Sequence, residues 1–260
     1  MEPNWIYFRD FRDTFISIQE SFGFDPQKEI EAREQLAHIL LNRDPTPLIH
    51  EITRIASKRT ICCFGAGSNL SNHIQAKQKI LVTHREEFYL VAADGSANAL
   101  MDKSLIPDII ISDLDGLSFE QMEIFLQQGV IVVILAHGDN THAVDIFSPL
   151  FQKYPRIIGT TQAPAIFPIL NPGGFTDGDR GLFLLHHLVP LFQPFYLFGY
   201  EFETTIGKYS KNQYFEDSPM TEMKRKKLAI CQNLIHQLRT LWARSVKVVG
   251  IDQSIQLLPF

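Results

Sequence analysis

From residue 58 onward, short apolar runs alternate with amphipathic stretches long enough for helices, and this alternation limits the chain to a few architectures. Strand-like runs fall at 59–64, 88–93, 107–112, 130–136, 155–160 and 195–200. Strands separated by helices build parallel sheets covered on both faces. The predicted fold class is therefore α/β, a Rossmann-like doubly wound, mostly parallel sheet. An N-terminal helical cap and a C-terminal helix plus short strand flank it.

Residues 1–57 read as that helical region: Asp25-Pro26 opens a segment in which Ile30, Leu36, Ile39 and Leu40 recur at helical spacing before Pro45 and Pro47 stop it. Residues 58–205 form the α/β catalytic domain, and 206–260 pack on it. Within that tail a polar loop at 206–219 precedes a long helix from about 220 to 243 carrying Lys224-Arg225-Lys226-Lys227. A β-branched run, Ser245-Val246-Lys247-Val248-Val249-Gly250, makes a short last strand.

A net charge of −5 argues against holding nucleic acid through its phosphates, and points to small-molecule chemistry. Of the 3 cysteines, Cys62-Cys63 lie inside a strand and Cys231 stands far off, which makes neither a metal site nor a disulfide framework. The expected home is a reducing cytoplasm. Met1-Glu2-Pro3-Asn4 lacks a secretory signal, and the most apolar stretch, 182–202, is broken by His186-His187, Pro190, Gln193 and Pro194. No membrane association is expected.

Four clusters sit where strands run out, the edge at which open α/β sheets collect ligands. Phe64-Gly65-Ala66-Gly67-Ser68-Asn69-Leu70 follows a strand and opens a helix, so its N–H groups could approach a phosphate. Leu70 replaces the third glycine of a dinucleotide fingerprint, and a tight turn without ligand explains the glycines equally well. Asp94 is joined by Asp113 and Asp115, which point to one side of an extended segment and could face one cation; helix capping explains one such carboxylate better than three. In Ala136-His137-Gly138-Asp139-Asn140, Asp139 could hold metal or ribose and His137 could donate to a phosphate oxygen, or the histidine is structural. Gly173-Gly174-Phe175-Thr176-Asp177-Gly178-Asp179-Arg180 puts two acids and an arginine on a glycine-rich loop before a buried helix, with Asp177 or Asp179 available as a cap.

Together with Pro107-Asp108, Gly159-Thr160-Thr161-Gln162, Gly207-Lys208-Tyr209-Ser210 and Lys226-Lys227-Leu228, these motifs resemble the archaeal-type 6-hydroxymethyl-7,8-dihydropterin diphosphokinases over roughly residues 60–230. That family is similar to the catalytic domain of thiamin diphosphokinases, from which this chain departs at Thr141-His142 and Asp179-Arg180. The resemblance extends to domains of flagellin glycosylation factors. It implies transfer of diphosphate from ATP to a primary alcohol, most simply the hydroxymethylpterin, with release of AMP.

In that scheme Asp113 and Asp115 hold Mg²⁺ (Mn²⁺ by the same ligand type) with help from Asp94 and Asp139, and His137 joins them in catalysis. Gly65, Gly67, Ser68, Asn69, Thr160, Thr161 and Gln162 contact nucleotide. Asp177 or Asp179 takes the pterin donors, while Arg180, Lys208 and the run from Lys224 screen the polyphosphate, Arg225 and Lys226 facing solvent. The expected partners are a small-molecule substrate and ATP, with no nucleic acid and no membrane; assembly as a homo-oligomer stays open. Two rival readings are a Rossmann-type oxidoreductase using Gly65-Ala66-Gly67, and a non-catalytic nucleotide-binding protein.

Overall fold

The computed structural model describes residues 9–202, 205–249 and 255–257. Three helices, α1 (Arg9–Phe22), α2 (Pro26–Ile39) and α3 (Thr46–Ala56), precede a repeating strand–helix unit. It runs β1 (Thr60–Phe64), α4 (Leu70–Thr83), β2 (Phe88–Ala93), α5 (Ser96–Met101), β3 (Ile109–Ser112), α6 (Phe119–Gln127), β4 (Ile131–Ala136), α7 (Thr141–Lys153), β5 (Ile157–Thr161), α8 (Asp177–Leu188) and β6 (Phe195–Phe198). After it come β7 (Thr205–Ile206), β8 (Ser218–Pro219), α9 (Glu222–Thr240), β9 (Val246–Val249) and β10 (Ile255–Leu257).

The main sheet has the order β10-β9-β6-β1-β2-β3-β4-β5, parallel throughout except for β10 against β9. This is the expected doubly wound class. The chain steps from β1 to β5 in one direction and then returns through α8 to β6 on the far side of β1. Because such crossovers are right-handed, the reversal puts α8 on the face opposite α4, α5, α6 and α7, and opens a crevice at the carboxyl ends of the strands.

Successive strand residues point to opposite faces, and here both faces are covered. Ile110, Val132 and Ile134 join one core with Leu36 of α2, Ile74 of α4 and Phe147 of α7. Ile109, Ile111, Ile131 and Val133 join the other with Phe15 of α1, Ile52 of α3, Leu182 of α8 and Leu234 of α9. That double coverage is why β4 is apolar at every position.

The helix expected after Asp25-Pro26 is α2, where Asp25 accepts the Gln27 N–H at 2.9 Å and Pro26 opens the first turn. It lies beside α7 over β4 and β5, which brings its first turn to the carboxyl edge of the sheet. The segment expected as a loop at 206–219 contains a short 3₁₀ turn, Lys208–Ser210, between the antiparallel pair β7 and β8. The last helix starts two residues later and stops three earlier than its sequence pattern suggested, with Thr221 accepting the Lys224 N–H at 3.2 Å. Strand β10 was not expected. Among the described residues, no helix is long and apolar enough to cross a membrane.

Candidate active site

The carboxyl ends of the strands open into a cavity of about 400 Å³, a size suited to a nucleotide or cofactor-like molecule. Three carboxylates form its floor: Asp94 leaves β2, Asp113 leaves β3, and Asp177 opens α8. One oxygen of each lies within 4.8 Å of the other two.

Local geometry aims them. Asp94 sits at φ 48°, a left-handed conformation that aspartate tolerates, and its Oδ1 accepts the Ser112 hydroxyl at 2.5 Å. Gly116 packs against Asp94 Oδ2 and Gly95, where any Cβ would collide. Ser112 Oγ also accepts the Leu114 N–H at 2.9 Å and holds Leu114 at φ 75°. That bend corrects the extended-segment expectation, in which Asp113 and Asp115 pointed one way: Asp113 turns into the floor, while Asp115 stands exposed at the mouth, 3.0 Å from Lys211 Nζ.

Asp179 belongs to a helix cap instead of a substrate pocket. It accepts the Thr176 N–H at 2.6 Å, the Thr176 hydroxyl at 2.7 Å and the Phe175 N–H at 3.1 Å, and is fully buried. Capping by Asp179 leaves Asp177, two residues earlier, free for the floor. Arg180 is also fully buried, donating to Thr161 O at 3.2 Å and Gly174 O at 2.9 Å, so it fastens the glycine loop to β5 and does not reach a polyphosphate. Burial lowers its pKa to about 10, which still leaves it a cation at neutral pH.

The floor is electrostatically frustrated. Burial first, then the neighbouring carboxylates, raise the pKa of Asp94 and of Asp177 well above the usual range. For Asp113 burial acts the same way but is outweighed by His137, whose Nε2 lies 3.8 Å from Asp113 Oδ2, and by Lys224 and Lys227, so its pKa falls. Asp94 Oδ2, Asp113 Oδ1 and Asp177 Oδ1 are buried without a hydrogen-bond partner. Three hard oxygen donors that repel one another and lack protein donors fit a divalent cation such as Mg²⁺. Asp115 and Asp139, expected among the metal ligands, are outside this triad; both are exposed at the rim.

The rim is clipped by Asn140, a residue the sequence reading passed over. Its Nδ2 donates to Asp113 O at 2.8 Å and Leu135 O at 2.7 Å, and its Oδ1 accepts the His137 N–H at 2.9 Å, tying the ends of β3 and β4 together. Gln162 lines the cavity and donates to Phe175 O at 2.9 Å. Thr160 and Thr161 do not line it: their hydroxyls bind Ile134 O and the Ala163 N–H, which fastens strand ends instead of nucleotide. Lys211, Lys224 and Lys227 line the same cavity, the last two close enough to act on Asp113. Lys224 and Lys227 are three residues apart on one face of α9, while Arg225 and Lys226 are exposed, as their spacing predicts. Lys208 stands outside the lining with Nζ 5.0 Å over the Tyr209 ring.

The glycine turn differs most from expectation. Gly65 and Gly67 line the cavity, but they donate their N–H groups to Phe198 O at 2.8 Å and Gly199 O at 2.9 Å. The Asn69 N–H and the Ser68 hydroxyl both go to Glu201 Oε2 at 2.9 Å. A carboxylate of the chain thus occupies the start of α4, where a phosphate was expected, and a dinucleotide reading loses its anchor. A Cβ on Gly67 would lie 2.5 Å from Gly199 O and 2.8 Å from Glu201 Oε2. Gly67→Ala is therefore expected to cost about 1–3 kcal/mol in urea unfolding; an unchanged midpoint would show that the turn yields freely.

The sequence profile of the MptE-like family, described as 6-hydroxymethylpterin diphosphokinase MptE-like, matches residues 33–207. Curated relatives named 6-hydroxymethyl-7,8-dihydropterin pyrophosphokinase include one from Methanocaldococcus jannaschii, 36% identical over 86% of this chain and 92% of the relative. Those from Pyrococcus furiosus and Methanothermobacter thermautotrophicus are 29% and 34% identical, over 88% and 86% of this chain and 93% and 91% of theirs. Among solved structures, the MAf glycosyltransferase from Magnetospirillum magneticum aligns with 76% of this chain and 34% of its own at 10% identity and a TM-score of 0.45, a likeness too distant to bear on function. The chain belongs to the MptE-like 6-hydroxymethylpterin diphosphokinase family and is an enzyme of diphosphate transfer.

Proposed function

We propose that the protein transfers the terminal diphosphate of ATP to the hydroxymethyl oxygen of 6-hydroxymethyl-7,8-dihydropterin and releases AMP, in a Mg²⁺-dependent reaction. The observation that carries this reading is the triad of Asp94, Asp113 and Asp177, with three partnerless buried oxygens in a cavity that Lys211, Lys224 and Lys227 also line. The names of the curated relatives supply the acceptor.

The hydroxyl oxygen bonds to the β-phosphorus, and the bond from that phosphorus to the oxygen shared with the α-phosphate breaks. Its electron pair leaves with AMP, and the hydroxyl proton is released. Little covalent work falls to the protein, so alignment and charge neutralisation dominate. Asp94, Asp113 and Asp177 would hold Mg²⁺, or Mn²⁺ by the same oxygen donors, which neutralises charge on the phosphate oxygens when bound. Lys224 and Lys227, lining the same cavity, draw the polyphosphate toward the floor. His137 accepts the Asp139 N–H on Nδ1 at 3.3 Å, which leaves Nε2 as the protonated nitrogen, directed at Asp113. It thereby keeps that carboxylate ionised. All three cysteines are free and buried, which suits a reducing, cytoplasmic setting.

Incubation with ATP, Mg²⁺ and the reduced hydroxymethylpterin, followed by phosphorus NMR, is expected to yield AMP and a pterin diphosphate in equal amounts. Formation of ADP, or no nucleotide consumption, would overturn the reading.

A further inference from the structure

Resting on the diphosphokinase reading, we propose that Glu29 determines acceptor specificity, its carboxyl group taking the paired ring N–H and amino donors of an amino-pyrimidinone ring. The two acids to which the family resemblance assigns that task have other work, since Asp177 lies in the floor triad and Asp179 caps α8. Glu29 comes from the first turn of α2, an element whose sequence gives no local sign of a site.

Four observations converge on it. Glu29 is 4% exposed yet lines the cavity. Its Oε1 accepts the Gly138 N–H at 3.1 Å, while its Oε2 is buried with no hydrogen-bond partner. A structural role explains the first oxygen and leaves the second unpaid for, at a cost of about 1–3 kcal/mol. Burial raises its pKa, against the Gly138 hydrogen bond and the charge of His137, with Asp139 adding to the rise and Arg180 opposing it. Oε2 has room for a ligand donor of its own, and Oε1 keeps a second acceptor site beside the Gly138 N–H.

The neighbours suit a flat ring. Phe24, Phe175, Leu135 and Gln162 line the cavity with it, and Phe22 stacks on Phe24 at 5.1 Å and 15°, backing that wall from behind. Phe24 and Phe175 are themselves 6.4 Å apart, forming one aromatic wall. Two adjacent, parallel donors on a fused pyrimidine match the two oxygens of one carboxyl group, the geometry that gives such pairs their selectivity. Bound that way, a pteridine carries its 6-substituent on the edge remote from Glu29. Glu29 reaches the cavity beside the end of β4, while Gly65, Tyr200 and Glu201 line it beside β1 and β6, across β2 and β3 from there. The acceptor and the adenosine thus take opposite ends, with the triad at the ends of β2 and β3 between them.

The test is Glu29→Gln, which keeps an oxygen for Gly138 but replaces one acceptor by a donor. The expected result is a rise of about 10²-fold in KM for 6-hydroxymethyl-7,8-dihydropterin, with the KM for ATP and the Mg²⁺ response of the unfolding midpoint unchanged. A purely structural role would move all three together. Pterin affinity is also read directly, by quenching of pterin fluorescence without ATP, and should weaken by the same factor. If Glu29→Gln folds poorly, Glu29→Asp, which withdraws the carboxyl group by one methylene, is expected to lose pterin affinity similarly. A variant that turns over with wild-type pterin KM overturns the assignment of Glu29 and leaves the diphosphokinase reading intact. Wild-type protein that binds the pterin but makes no AMP overturns that reading while the fluorescence titration still decides the role of Glu29. Wild-type protein that does not bind the pterin at all overturns both.

Discussion

Asp113→Asn is expected to reduce diphosphate transfer by about 10³-fold. Asp113 shares the floor with Asp94 and Asp177, and each neighbour raises the cost of ionising the others. Asp113 is held ionised by His137, Lys224 and Lys227, so Asp113→Asn should lower the unfolding midpoint in EDTA at neutral pH, whereas Asp177→Asn, which removes a carboxyl that burial and its neighbours push toward the neutral form, should hold or raise it. Wild-type protein should gain stability on adding Mg²⁺, by about 2.7 kcal/mol at one hundred times the dissociation constant. Asp113→Asn should lose most of that gain. Asp177→Asn should lose turnover and the Mg²⁺ response alike, although it comes from a different segment of the chain. A variant keeping both a tenth of the turnover and the full Mg²⁺ response would remove the triad from the chemistry.

Arg180→Leu is expected to be the most damaging single change to stability, costing about 3–5 kcal/mol. The side chain has no exposed surface, and its two hydrogen bonds serve carbonyls that are themselves enclosed, Thr161 O and Gly174 O. Leucine would leave both acceptors dry and would strip the countercharge from Asp179 and Asp177. Against a typical total of about 5–15 kcal/mol, that loss approaches global unfolding at working temperature. Arg180→Lys should recover only part, because an ammonium lacks the planar fork that spans two carbonyls. Urea unfolding measures both, and an unshifted midpoint for the leucine variant would contradict the account.

The strands were legible because each is a run of apolar residues ending in a change of composition, and a sheet covered on both faces imposes that pattern locally. The pairing of Lys224 with Lys227 was legible for the same reason, since helical spacing is a local property. Asp94 and Asp113 could be found because each directly follows its strand. Asp177 could not be separated from Asp179 by spacing alone: the distinction depends on Thr176 and Phe175 donating to Asp179, which leaves the other acid unengaged. Glu201 at the start of α4 and Glu29 beside Gly138 lie 132 and 109 residues from their partners, and no periodicity reports such meetings. The bend at Leu114, which parts Asp113 from Asp115, is likewise set by Ser112 and not by any turn-forming residue at that position.

Helix α8 delivers Asp177 to the floor at one end and buries Leu182, Phe183, Leu184 and Leu185 under the sheet along the rest. The ligand set and the hydrophobic contact therefore share one rigid rod. A volume change about one to two turns along the helix would shift the rod and mistune the carboxylate at its tip, so repacking aimed at heat resistance would surface as slower turnover. Selection on this enzyme cannot adjust its ballast without also moving its trigger.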